Sequence, residues 1–253
     1  KCLEIVPNAP EALEAINQIE PRDTSIAKFY EKIELGDFHG AAVILKEYSN
    51  TIGTSDYLSC ISYLNEKYRS WFGESRQVSP KQLVHEHNLN EDASIDLNLL
   101  HIYIKNSESL IKDRPGKPTI NGYQTYEVLK GSTNQTVRIL CKKIISLATD
   151  YCDSLELPYN KSKGNNRYEI SGWGVALNRG GHQKLHTHPE AKISGVLYLK
   201  TSKETESLET DKGNILFPTV ESLSIAPYTG LIILFPSYLP HSTVPTTEDN
   251  ERR

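Results

Sequence analysis

The spacing of apolar residues changes its period near residue 115, and this change constrains the fold more than any other feature of the chain. In the first half, sets such as Leu58, Ile61 and Leu64 recur every three or four residues, which is typical of helices that bury one face. In the second half, apolar residues alternate over residues 193–199, and residues 231–235 form a short apolar run, as buried strands do. The pattern therefore predicts an α+β chain with helices first and strands second.

A proline-rich segment marks the change of period. Residues 113–118 read Asp-Arg-Pro-Gly-Lys-Pro, and two prolines and a glycine so close together cannot lie inside a helix. We therefore expect a helical region over residues 1–114 and a second domain over residues 119–253. One more helix is predicted at about residues 133–155, and the several short strands after it indicate a sandwich or a barrel.

The composition excludes several classes of function. The chain has 28 Lys+Arg against 32 Asp+Glu, with a net charge of -4, and a weakly acidic chain of this kind is not typical of nucleic-acid binding. No apolar run is as long as a membrane span. The four cysteines, which show no CxxC spacing, favour free thiols in a reducing compartment. We expect a cytoplasmic protein without a nucleic-acid or membrane partner.

Residues 27–48 resemble a tetratricopeptide repeat. The matching positions are Tyr30, the turn at Gly36-Asp37-Phe38, and the small residue Ala41, which allows two helices to approach closely. The resemblance implies a stacked helical array with a concave face that could bind a peptide partner. A generic helical bundle is the alternative.

Three histidines in the strand-rich half carry the clearest chemical signal. His186 and His188 are two residues apart, so an extended backbone presents both imidazoles on one side. His241 follows the apolar run at residues 231–235 and is the candidate third ligand. A facial set of three ligands leaves positions open for a substrate and oxygen. The pair His85-x-His87 has the same spacing but falls in the helical half, where we expect a solvated surface pair.

The stretch from Trp173 to Arg253 resembles the 2-oxoglutarate and iron(II)-dependent oxygenases. Its matching phrases are Gly180-Gly181-His182-Gln183, His186-Thr187-His188-Pro189, Ser194-Gly195-Val196-Leu197-Tyr198-Leu199, the segment 230–237, Pro240-His241-Ser242 and Glu251-Arg252-Arg253. The resemblance implies a double-stranded β-helix, also called a jelly roll, that binds Fe(II) and 2-oxoglutarate. It also implies hydroxylation of a C–H bond, with release of succinate and carbon dioxide.

Carried over residue by residue, the resemblance makes His186 and His241 iron ligands. The broad family has a carboxylate where His188 stands, so the third ligand is either His188 or, if the chain bends at Pro189, Glu190; in a further alternative only two histidines bind. Arg252 or Arg253 would bind the distal carboxylate of 2-oxoglutarate, because a guanidinium pairs with a carboxylate through two hydrogen bonds.

Three more residues near these ligands have two interpretations each. Ser194 and Tyr198 share one face of a predicted strand and either contact the co-substrate or serve in packing. His182 is a pocket-wall residue or a further ligand.

The leading hypothesis is thus an Fe(II)- and 2-oxoglutarate-dependent dioxygenase acting on an unidentified small molecule or protein side chain. The first alternative is a three-histidine, cupin-type metal dioxygenase that does not use 2-oxoglutarate. The second is a non-catalytic scaffold that binds a peptide.

Overall fold

The computed structural model describes residues 24–50, 54–64, 66–72, 80–154, 169–188, 191–202, 210–219 and 222–246. The chain divides into two compact units, Lys1–Gln77 and Val78–Arg253. Within the described residues, no helix is both long enough and apolar enough to cross a bilayer.

The first unit is helical over its described residues. It contains α1 (Thr24–Glu34), α2 (Phe38–Tyr48), α3 (Thr54–Tyr63), α4 (Glu66–Arg69) and a 3₁₀ turn (Ser70–Phe72). Asp37 caps α2, because its carboxylate accepts a hydrogen bond from the backbone N–H of Gly40 at 2.8 Å. Gly36 has φ +70°, a conformation that glycine adopts at little cost, so the predicted turn between two helices is confirmed. The helix expected around Leu13–Ile19 lies outside the described residues.

Small and apolar side chains of the helices are buried in one cluster. Ala41, Ala42 and Leu45 of α2 have no exposed surface and pack with Phe29 of α1 and Leu64, just after α3. Removing these side chains from water stabilises the pair by about 25 cal/mol for each Å² of apolar surface buried.

The second unit mixes helices and strands. Its elements are α5 (Pro80–Leu83), β1 (His85–Asn88), α6 (Leu97–Lys105), β2 (Ile111–Lys112), β3 (Thr119–Gln124), α7 (Gln135–Ser154), β4 (Val175–Gln183), β5 (Ile193–Leu197), β6 (Ile215–Phe217), β7 (Leu223–Ile225), β8 (Leu231–Pro236) and β9 (Ser242–Thr243). The strands form antiparallel sheets in the orders β1-β8-β5, β2-β3-β4 and β7-β6-β9. The prediction of one long helix followed by short strands is confirmed.

The predicted linker at residues 113–118 is the turn between β2 and β3, inside the second unit. This unit begins at Val78, before the boundary expected from the sequence, because β1 pairs along its whole length with β8. Residues on both sides of the linker therefore build one core.

Strand β8 lies at the centre of the second unit, and both of its faces are buried. Ile232 and Leu234 pack with Leu147 and Tyr151 of α7 on one side. Their neighbours in sequence, such as Ile233, pack on the other side with β6 and β7. This double burial explains why the run is apolar at every position rather than at alternate ones.

The interpretation of His85 and His87 as a helical surface pair is wrong. They lie on β1, where His85 is the register partner of Leu234 and His87 that of Ile232. The His85 ring contacts the Tyr151 ring edge-on, with centroids 4.9 Å apart. Pairing with β8 overrides the local helical pattern, and within the described chain neither histidine belongs to a potential metal-binding group.

The sequence Asn178-Arg179-Gly180-Gly181 is typical of a turn, but in the structure these residues lie inside β4. Gly180 has φ +76°, and the register between β3 and β4 shifts between Ile120 and Gly122. The glycine pair therefore serves a bulge within a strand rather than a reversal of the chain.

Candidate metal centre

The structure brings His186, His188 and His241 together. One potential ligand nitrogen of each lies within 4.8 Å of those of the other two. The ring centroids are 4.3 Å apart for His186 and His241, 4.9 Å for His186 and His188, and 5.2 Å for His188 and His241. Three imidazoles this close can bind one ion.

Backbone hydrogen bonds hold the two distant segments in place. His186 donates its N–H to the carbonyl of His241 at 3.0 Å, and His241 donates its N–H to the carbonyl of His186 at 3.1 Å. His188 donates its N–H to the carbonyl of Ser237 at 2.9 Å. The three side chains are therefore positioned by main-chain pairing between the segment after β4 and the segment after β8.

Carbonyl groups also orient two of the rings. His186 Nδ1 lies 2.7 Å from the carbonyl oxygen of Lys184, and His241 Nδ1 lies 3.0 Å from that of Leu239. A carbonyl only accepts, so each Nδ1 carries the proton, and each Nε2 keeps a lone pair for a metal. This arrangement is the usual one around metal-bound histidines.

Burial keeps the three imidazoles neutral. Loss of hydration, followed by repulsion from the protonated form of His186, lowers the pKa of His241 to about 3. Burial, then the His186 and Lys117 charges, lowers the pKa of His188 to about 4. Burial also lowers the pKa of His186. At neutral pH all three rings are uncharged, each with one nitrogen free of a proton, as metal ligands must be.

Aromatic side chains wall the inner side of the centre. The Phe235 ring of β8 lies 4.6 Å from that of His241, and the Phe217 ring of β6 lies 6.1 Å from it. His241 is 4 % exposed, so this side of the centre is dry.

The two predicted strand residues, Ser194 and Tyr198, lie on the same inner face. Residues 194 and 196 of β5 are the register partners of Phe235 and Ile233, and the Tyr198 side chain packs in the same cluster. Ser194 Oγ is 2.9 Å from Ser237 Oγ. The Tyr198 hydroxyl is buried and has no hydrogen-bond partner among the described residues, and burial raises its pKa. A buried hydroxyl of this kind needs a polar partner, such as a bound carboxylate.

The remaining predicted site residues divide into two groups. His182 is not part of the three-histidine group; its Nδ1 lies 3.2 Å from the carbonyl oxygen of Gly180. Glu190, Arg252 and Arg253 lie outside the described residues.

Sequence reasoning missed one residue that organises the centre, Ser237. This residue is 1 % exposed, and it contacts His188 through its carbonyl group and Ser194 through its hydroxyl. The signal in the sequence that could have identified Ser237 is its position directly after the apolar strand β8 and shortly before His241.

Comparisons with known proteins agree with this geometry. Residues 171–253 match the family model described as "Putative 2OG-Fe(II) oxygenase". No curated protein sequence matches the chain significantly.

The fold is similar to that of solved prolyl hydroxylases. A prolyl-4-hydroxylase from Pseudomonas putida superposes with a TM-score of 0.50 and 13% identity, over 66% of this chain and 87% of that chain. The viral collagen prolyl hydroxylase of Paramecium Bursaria Chlorella virus-1, as its 2-oxoglutarate complex, gives a TM-score of 0.47 and 15% identity, over 69% of this chain and 93% of that chain. A Trichoplax adhaerens prolyl hydroxylase with a hypoxia-inducible-factor peptide gives 0.42 and 15%, over 65% and 78%.

Residues 171–253 therefore form an oxygenase domain of the 2-oxoglutarate and Fe(II) type, and the three-histidine group fits Fe(II) as its metal and 2-oxoglutarate as its co-substrate. The first of these structural likenesses establishes the fold class, a helix-and-sheet chain with a jelly roll of the kind found in these oxygenases.

Proposed function

We propose that the chain hydroxylates a C–H bond of an unidentified substrate, consuming 2-oxoglutarate and oxygen and releasing succinate and carbon dioxide. The observation that carries the proposal is the convergence of His186, His188 and His241 from two distant segments onto one buried point. Iron(II), when bound, supplies the activation of oxygen.

In this proposal the three imidazoles are the iron ligands, each bound through its unprotonated nitrogen. His188 takes the place that a carboxylate has in the broad family. Its position 4.9 Å from His186 and 5.2 Å from His241, ring centroid to ring centroid, supports His188 as the third ligand. A site of three neutral ligands keeps the full charge of the metal, which favours an anionic co-substrate.

The chain's own residues would position the co-substrate. The Tyr198 hydroxyl would donate to a carboxylate of 2-oxoglutarate, and the Ser194–Ser237 hydroxyl pair offers a second polar contact on the same face. Arg252 or Arg253 would pair with the distal carboxylate through two hydrogen bonds.

The direct test is release of succinate from 2-oxoglutarate by the purified chain with Fe(II) under oxygen. We expect turnover that depends on both iron and oxygen and that is lost in His186→Ala and His241→Ala. His182→Ala is the matched control and should keep the iron- and oxygen-dependent turnover. If no succinate forms with any substrate pool and 2-oxoglutarate does not bind, the proposal fails.

A three-histidine dioxygenase that does not use 2-oxoglutarate is the second candidate, because the group found among the described residues contains no carboxylate. Variants of Arg252 and Arg253 discriminate between the two candidate functions. If reversing the charge of both Arg252 and Arg253 to glutamate leaves the activity unchanged, the second candidate is favoured. If the double charge reversal abolishes 2-oxoglutarate binding, the 2-oxoglutarate-dependent candidate is favoured.

The helical unit would bind a peptide partner. Its support is the paired helices α1 and α2 and an exposed aromatic group after α4: Trp71 is 40% exposed and contacts the rings of Tyr68 and His39. A tetratricopeptide array is the form that the sequence resemblance suggests for this unit. Peptide binding by the fragment 1–77 would test this part of the proposal.

A further inference from the structure

A strip of aromatic, cationic and apolar side chains borders the metal centre, and all of them except the half-buried Arg114 are exposed. We call it the rim and define it as Arg114, Lys117, Tyr126, Trp173 and Val175. The Trp173 ring contacts the His188 ring, with centroids 5.8 Å apart, so the rim begins at the centre itself. Trp173, Tyr126 and Val175 are 41%, 52% and 38% exposed.

The strand ladder brings these side chains together. Thr125 donates its N–H to the carbonyl of Gly174 at 3.0 Å, which places Tyr126 and Trp173 at adjoining positions. Gly174 faces the opposite way, since a Cβ there would overlap the Ile104 side chain of α6. Trp173 and Val175, on the other face by strand alternation, are therefore directed away from α6.

The turn between β2 and β3 adds two positive charges to the same place. Lys117 Nζ lies 5.9 Å from the centroid of the Trp173 ring, and Arg114 Cζ lies 4.0 Å from that of Tyr126. Both are cation–π contacts, one from the exposed Lys117 and one from the half-buried Arg114. Neither cation forms an ion pair with a carboxylate anywhere in the described part of the chain.

Among the described residues, the acidic groups next to the rim in sequence already accept hydrogen bonds or form an ion pair. Glu127 accepts hydrogen bonds from the backbone N–H groups of Leu129, Lys130 and Gly172. Asp113 accepts one from the N–H of Gly122, and Glu169 pairs with Lys130. These hydrogen bonds leave the carboxylates charged, but none of them pairs with Arg114 or Lys117, so both cations can still pair with a carboxylate of a ligand.

We propose that the rim binds an acidic peptide segment and sets the specificity of the oxygenase for such substrates; this inference rests on the proposed function. Apolar ring faces next to paired cations complement an Asp or Glu side chain beside an apolar one. An extended peptide fits better than a small metabolite, because the rim is an open strip and small-molecule sites enclose most of their ligand.

A displayed library of random 12-residue peptides, selected on the full chain at low salt, tests the inference. We expect the recovered sequences to share Asp or Glu beside an apolar residue. Recovery of no peptides, or of peptides without enrichment in acidic residues, overturns it.

A charge-matched pair of variants then locates the binding. The best recovered peptide is labelled with fluorescein and titrated by anisotropy. R114Q/K117Q should raise its Kd about tenfold, the loss of two partly exposed charge contacts. R138Q/K142Q removes the same charge from exposed positions of α7 and should change Kd less than about twofold. Equal Kd values for the two double variants contradict the proposal.

A second readout reports contact at Trp173. The chain has two tryptophans, so Trp71→Phe leaves Trp173 as the only one. The peptide should change the emission of this variant, and unchanged emission at saturation contradicts the proposal. Neither readout uses iron or turnover, so failure here leaves the succinate assay as the separate test of the proposed function.

Discussion

At the scale of single residues, the ability of the centre to bind a metal depends on which nitrogen of each imidazole carries the proton. The carbonyl groups of Lys184 and Leu239 hold a proton on Nδ1 of His186 and His241, and burial keeps the rings neutral. Both effects leave Nε2 available, so the site is organised for a metal before any metal binds.

The affinity for Fe(II) should depend strongly on His186 and His241, the two histidines whose Nδ1 atoms contact carbonyl groups. We expect His186→Ala or His241→Ala to lower the affinity for Fe(II) by at least about 100-fold, because each removes one of three ligands. Calorimetric titration with Fe(II) under anaerobic conditions measures this. His182→Ala should bind as the wild type does; full iron occupancy in both ligand variants would exclude them as ligands.

Tyr198 should show opposite effects on stability and on co-substrate binding. Its hydroxyl is buried with no hydrogen-bond partner in the described part of the chain, so Tyr198→Phe should stabilise the metal-free protein by about 1 kcal/mol. The same change should raise the KM for 2-oxoglutarate several-fold, because the lost hydrogen bond contributes about 1 kcal/mol to binding. Urea unfolding and succinate formation measure the two quantities. A stability loss with unchanged KM would mean that the hydroxyl serves the fold.

The depressed pKa values predict how stability responds to acid. A histidine with a folded pKa of about 4 and an ordinary value in the unfolded chain binds its proton only on unfolding between those two pH values. Stability of the metal-free protein should therefore fall as the pH falls below about 6.5. His188→Gln should reduce this slope by about 1 kcal/mol per pH unit. Denaturant unfolding from pH 7 to 4.5 measures it, and identical slopes would contradict the burial argument.

At the scale of elements, the sequence predicted what periodicity and turn chemistry determine. The turn at Gly36–Asp37, the long helix α7 and the apolar strand β8 follow from local patterns. The strand β1 could not be predicted this way. Its residues His85–Asn88 carry no strand pattern, and they are extended because β8 offers an unpaired edge. The meeting of His186 with His241 was suggested by family resemblance, since no local rule brings such distant residues together.

The contact between Gly174 and α6 should be sensitive to added volume. A methyl group at position 174 would overlap the Ile104 side chain, so Gly174→Ala should destabilise the protein by about 1–3 kcal/mol. Adding Ile104→Ala should recover part of that loss, because it removes the overlapping atoms. Urea unfolding of the two single variants and the double variant measures the coupling. Additive losses would show that the two residues do not contact each other.

At the scale of the whole molecule, the division of the chain decides which fragments fold. The second unit starts at Val78, and it needs β1 and α6 to cover the strand β8 and the core beside α7. A boundary at the Pro-Gly segment, as sequence pattern suggests, would cut through that core.

Two fragments should therefore behave differently. Residues 78–253 should unfold cooperatively on heating and bind Fe(II) as the full chain does. Residues 119–253 should not fold stably, because they leave one edge of β8 and several buried side chains uncovered. Thermal unfolding by circular dichroism separates the two. A cooperative transition in the shorter fragment would contradict the role given to β1.

The most direct test of the whole account is a crystal of the chain grown anaerobically with Fe(II), measured for anomalous scattering at the iron edge. The account predicts one peak within coordination distance of the Nε2 atoms of His186, His188 and His241 together. A peak bound by only two of them, or located elsewhere in the second unit, would contradict it.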